Sequence, residues 1–218
     1  MFIEGLARDP VNYLVLAMII IVSICLHELA HGIVAVWLGD DTPIREGHMT
    51  LNPLVHMGPM SLVVLLIAGI AWGQMPVREE RLRGRFGMAL VSAAGPAMNA
   101  LLALLSLVSL GIWMRYQRAA NVNPSNVASN AWLLLYHIGA LNILLGIFNL
   151  IPVPPLDGSN IVRSLNPSLR NAMQALRQAP FVFFGVFMIA GYFIQPWSEH
   201  IALRILKAVI GFRVHSGR

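Results

Sequence analysis

Residues 11–38 read VNYLVLAMIIIVSICLHELAHGIVAVWL, an apolar run that carries two histidines and a glutamate inside it. It exceeds the roughly 20 residues that a helix needs to cross about 30 Å of hydrocarbon. The run is too long for the core of a signal peptide, lacks an early basic region and ends in Gly39-Asp40-Asp41 rather than at a small-residue cleavage site, so it reads as a retained membrane helix. Working outward, apolar stretches recur at residues 60–72, 86–114, 131–152 and 181–193. Those at 86–114 and 131–152 are long enough to span, whereas 60–72 and 181–193 are short. Composition agrees: the chain is 57% hydrophobic and 11% charged, against about 25% charged in an ordinary soluble domain.

Between the apolar runs the pattern changes. Asp40–Pro59 contains Pro43, Pro53 and Pro59, and apolar and polar residues alternate around Gly47–Asn52, which predicts a short β-ribbon. Residues 60–72 then read as a re-entrant hairpin or a tilted helix. The prolines of Ile151-Pro152-Val153-Pro154-Pro155-Leu156-Asp157-Gly158 cannot continue the helix that precedes them. Ser159–Pro180 is a basic amphipathic connection, and Ile201–Phe212 carries Arg204 and Lys207 on an otherwise apolar stretch, as an interfacial helix would. The expected fold is an all-α polytopic membrane protein of one domain, residues 1–218. Its three-helix core covers about 11–38, 86–114 and 131–152, with a re-entrant or β-ribbon insertion at about 43–75 and further membrane segments at about 181–195 and 200–212.

A net charge of +5 raises the question of a nucleic-acid partner. The arginines lie scattered over the loops between spans, so topology and anionic lipid explain them and no polynucleotide is required. A single cysteine, Cys25, excludes an internal disulfide framework and reads as a small buried side chain.

The chemistry sits in His27-Glu28-Leu29-Ala30-His31. Residues four apart share a helix face, so both imidazoles can reach one zinc with Glu28 beside them as a base. A hydrolytic zinc takes three protein ligands and keeps a position for water, which requires one more donor. Within or beside the apolar segments the candidates are His56, His137 and Asp157. Asp157 is the best of them, because a lone carboxylate at the end of a span is costly and a metal offsets that cost. For His56 and His137 the plainer explanation is a hydrogen-bonded or interfacial histidine.

Three strings now stand together: His27–His31, Ala94-Gly95-Pro96-Ala97-Met98-Asn99, and Asn149-Leu150-Ile151-Pro152-Val153-Pro154-Pro155-Leu156-Asp157-Gly158. In order and placement they resemble the signatures of the site-2 proteases, in the short bacterial and archaeal form that has no PDZ or CBS domain. The resemblance covers about residues 11–160. It implies an intramembrane zinc metalloprotease that cuts transmembrane substrates, with one zinc on His27, His31 and Asp157, Glu28 as general base and a polar role near the zinc for Asn149. Asn99 is carried over as a helix-packing or site amide. The sequence departs from the pattern at Gly58, where the short form usually has an acidic residue. A prokaryotic cell membrane is the implied location, and the oligomeric state stays open. A zinc transporter and a non-proteolytic membrane chaperone are the rival classes, and Glu28 argues against both.

Orientation does not follow from charge. Arginines divide eight against three whether or not residues 60–72 cross the bilayer. A shared metal requires the Gly39 end of the first helix and the Asp157 end of the 131–152 span to face the same side, which favours the re-entrant reading, with the N-terminus outside and the zinc nearer the cytoplasm.

Overall fold

The computed structural model describes residues 4–119, 126–177 and 180–211. After a short helix α1 (Glu4–Arg8), the chain forms α2 (Pro10–Trp37), α3 (Thr42–Arg45), α4 (Pro53–Ala68), α5 (Gly87–Ala119), α6 (Asn126–Asn149), α7 (Asp157–Leu165), α8 (Arg170–Arg177) and α9 (Pro180–Ile210). Helix α2 starts where Asp9 accepts the backbone N–H of Asn12 at 3.1 Å and Pro10 fills the first helical position, which needs no donor. Its 28 residues extend about 42 Å, more than a bilayer core requires. Helices α2, α5 and α6 are each long and apolar enough to cross a membrane. Val11, Leu14, Met18 and Val22 form an exposed apolar stripe on α2, and Leu101, Leu104, Leu105 and Ile112 lie exposed on α5. A soluble protein does not present such a surface to water; hydrocarbon covers it.

Helix α5 is the centre of the bundle, packing on α2, α6, α7 and α9. Ala103, Leu107 and Leu110 of α5 form one buried cluster with Ile143 of α6 and with Ala202 and Leu206 of α9. A second cluster joins Ile24 of α2 to Met57 and Leu65 of α4. His27 and His31 lie on α2 between these cores and the loops at its Gly39 end.

Residues 53–78 make a hairpin. Helix α4 kinks at Gly58, ahead of Pro59, and stops at Gly69, whose φ of +74° turns the chain. Residues 70–78, outside any helix, then run back along α4, held where Trp72 N–H donates to Ser61 Oγ (2.9 Å) and Gln74 N–H donates to the His56 carbonyl (2.9 Å). The return ends beside the C-terminus of α2: Arg78 N–H donates to Asp40 Oδ2 (2.7 Å) and Arg83 N–H to the Leu38 carbonyl (2.8 Å). Burial pushes the Asp40 carboxyl up, but the Thr42 hydroxyl, the N–H groups of Arg78 and Thr42 and the Arg81 charge outweigh it and hold it below the usual carboxylate range. Asp40 therefore stays charged, and it pins the hairpin to the helix.

Two expectations from the sequence need correction. No strand forms among the described residues, and Gly47–Asn52 is a turn followed by bends. Local bonds use up its backbone: His48 N–H donates to the Pro43 carbonyl, Thr50 N–H to the His48 carbonyl, and the Thr50 carbonyl is taken by His56 Nε2 at 2.6 Å. The expected segments at 181–195 and 200–212 are joined in one helix, α9, which runs through Pro196 to Ile210; residue 212 lies outside the described residues. Its second half is core rather than interfacial, because Ala202 and Leu206 are buried against α5 and α6.

Candidate metal centre

His27 and His31 lie one turn apart on α2, with ring centroids 4.6 Å apart, and both are buried. Each ring is oriented through Nδ1. The His31 Nδ1 lies 2.6 Å from the backbone carbonyl of Val91 on α5, which can only accept, so this nitrogen carries the proton. His27 Nδ1 lies 2.6 Å from Asn99 Oδ1, also on α5. With both protons on Nδ1, each Nε2 presents a lone pair, the arrangement by which outer partners prepare a histidine for a metal.

Asp157 arrives from the other side. Helix α6 ends at Asn149, the prolines turn the chain, and Asp157 is the first residue of α7. Gly158 permits that turn, because a Cβ there would overlap the backbone of Leu150 and Ile151. Asp157 Oδ2 lies 3.2 Å from His27 Nε2 and 3.3 Å from His31 Nε2, and the two Nε2 atoms are 3.0 Å apart. While both imidazoles are neutral and protonated on Nδ1, no proton lies between these three electron-pair donors. Three such atoms repel one another unless a cation lies among them. Donors about 2.0–2.1 Å from a tetrahedral zinc lie roughly 3.3 Å apart, so the triangle fits that metal. Among the described residues this is the group of His, Cys, Asp and Glu side chains able to hold a metal.

Residues 15–192 match peptidase family M50, the site-2 protease family. The chain belongs to that family. It is 34% identical over 201 residues to "Putative zinc metalloprotease YwhC" of Bacillus subtilis, covering 90% of this chain and 86% of that one. It is 31% identical over 193 residues to "Putative zinc metalloprotease Rip2" of Mycolicibacterium smegmatis, covering 83% and 70%. "Zinc metalloprotease MJ0392" of Methanocaldococcus jannaschii is 26% identical over 161 residues, covering 74% of this chain and 37% of that one. No solved structure matches the chain significantly. As an M50 peptidase it is an integral membrane zinc metalloprotease, and its substrates lie in the membrane with it.

In this M50 chain, Glu28 is buried next to the triangle, and the returning limb of the hairpin passes its carboxylate at Gly73, where a Cβ would meet Glu28 Oε1. Asn149, expected near the zinc, donates an Nδ2 hydrogen to the Leu145 carbonyl of its own helix (3.0 Å). His137 Nδ1 lies 2.8 Å from the Leu133 carbonyl and stays outside the cluster, while His56 is fully buried and bonded to Thr50. The sequence reading missed Gly73, the carbonyl of Val91 and Asn142. Of these only Asn142 had a visible signal, as an amide deep in an apolar span, where polar groups are costly.

Gly95 of α5 lies directly beneath the two imidazoles, and a Cβ there would overlap His31 Nε2 and the His27 ring. Gly95→Ala is therefore expected to weaken zinc binding at least roughly tenfold by turning the rings, as loss of ring orientation does. Helix propensity alone would favour alanine by about 1 kcal/mol. A chelator competition on the purified variant, beside its thermal unfolding, checks this: weaker zinc with unreduced stability of the zinc-free protein is the expected pair.

Proposed function

We propose that the chain hydrolyses peptide bonds within transmembrane segments, in regulated intramembrane proteolysis, with zinc on His27, His31 and Asp157 and with Glu28 as general base. The observation that carries this reading is the convergence of three ligand atoms, from His27, His31 and Asp157, beside a buried glutamate in a membrane helix. A zinc held by His27, His31 and Asp157 would lower the pKa of a bound water towards about 7 and polarise a carbonyl. Glu28 takes the proton of the attacking water on its carboxylate and delivers it to the departing amine. Asn149 keeps its Oδ1 and one N–H for the substrate backbone. A helical substrate must unwind before attack, since its carbonyls are engaged within the helix. Residues around Gly73, rather than Gly47–Asn52, then offer backbone groups beside Glu28 for strand addition.

The hairpin leaves from and returns to the Asp40 end of α2, which supports a re-entrant insertion with the zinc nearer the cytoplasmic side of a prokaryotic cell membrane. Arg45 and Arg81 both pair with the Asp41 carboxylate, at 2.6 and 2.9 Å. Cysteines placed at these two positions in a Cys25→Ala background are expected to react with an impermeant reagent from the same face. Labelling from opposite faces would refute the re-entrant insertion.

Proteomics of membrane fractions tests the activity in cells. Single-span proteins should accumulate when Glu28→Gln replaces the native chain. A transporter would change zinc flux without altering any membrane protein, and a chaperone would be indifferent to the substitution.

A further inference from the structure

Asn142 of α6 is fully buried where α2, α5 and α6 meet. One of its amide atoms lies 2.9 Å from the Ile138 carbonyl of the same helix. That carbonyl can only accept, so the atom is Nδ2 and the amide's orientation is fixed. Ser23 Oγ on α2 accepts from the same nitrogen at 2.9 Å. Asn142 Oδ1 is then turned towards Asn99 and accepts from its Nδ2 at 2.8 Å. Asn99 in turn must present Oδ1 to His27, whose Nδ1 at 2.6 Å is obliged to carry the proton. Direction thus passes from a backbone carbonyl, through two side-chain amides on two helices, to one imidazole.

We propose that Asn142 is a positioning residue: through Asn99 it sets the tautomer in which His27 offers Nε2 to the metal, with the Ile138 carbonyl as the anchor. This rests on His27 being a zinc ligand. His31 needs no such relay, because the Val91 carbonyl fixes its proton in one step. Without Asn142 the Asn99 amide is free to rotate by 180°, present its Nδ2 to His27 and move the imidazole proton to Nε2, where it blocks the metal.

Two readouts on purified, folded protein test the relay, neither of them catalytic. In zinc-free wild-type protein with ¹⁵N-labelled histidine, the His27 resonances should report a proton on Nδ1. A neutral His27 with its proton on Nε2 and none on Nδ1 overturns the proposal with no variant needed. In Asn142→Leu the Nε2–H form should rise, and chelator competition should show zinc bound roughly tenfold more weakly, the lower end of what outer partners contribute. Asn99→Leu should cost as much or more, and the double variant should be no worse than Asn99→Leu alone. Ser23→Ala should bind zinc like wild type, since the Ile138 carbonyl remains. Undiminished affinity in Asn142→Leu, or losses that multiply in the double variant, overturns the relay. His27→Ala separates the two layers: full zinc retention there would remove the ligand assignment itself, whereas zinc loss there with an indifferent Asn142→Leu would remove only the relay.

Discussion

Glu28→Gln is expected to retain zinc and lose cleavage of a transmembrane substrate by about a hundredfold or more. Glutamine keeps the size and reach of the side chain, but it cannot take the proton from the attacking water. General-base assistance is typically worth 10²–10⁴ in rate. Zinc should stay because Glu28 is no part of the His27, His31 and Asp157 triangle; its carboxylate faces Gly73 of the returning hairpin. Initial rates on one fluorogenic single-span substrate, beside metal content by mass spectrometry, give both numbers from one preparation. A variant that cuts at the wild-type rate would remove Glu28 from the chemistry, and one that has lost its zinc would make the rate uninformative about a base.

Asp157→Ala is expected to bring zinc occupancy from about one per chain to near zero after dialysis. A hydrolytic site holds its zinc with three protein ligands, and Asp157 is the one that arrives from outside α2. Its removal leaves two neutral imidazoles with no negative charge beside them. His27→Ala and His31→Ala should lower occupancy as well. Full occupancy in Asp157→Ala would promote His56 or His137 in its place, although neither lies in the donor triangle.

The cluster of His27, His31 and Asp157 was legible in the sequence because its geometry is mostly local. Spacing of four on a helix puts His27 and His31 on one face whatever surrounds them, and a proline-rich stop after a membrane span leaves Asp157 few places to be. The three spans were legible for the same reason, length and hydropathy being properties of the segment itself. What failed depended on distant partners. The alternation at Gly47–Asn52 looks like a strand, yet His56 from the next helix takes the Thr50 carbonyl and folds the segment into bends. The polar stretch from Gln195 to His200 looks like a break, yet α9 continues because its second half packs on α5 and α6. Asn142 showed in the sequence only as an amide in an apolar span; its link to the site lies in its bonds to Ile138, Ser23 and Asn99, and only the assembled bundle brings these together.

The most direct test is cleavage by the purified chain in liposomes that also hold a single-span substrate, with the cut located by mass spectrometry. The account predicts a cut inside the hydrocarbon-spanning segment, lost when a chelator strips the zinc and restored when zinc alone is added back. Cleavage that survives stripping, or that falls only in the water-exposed flanks of the substrate, would contradict it.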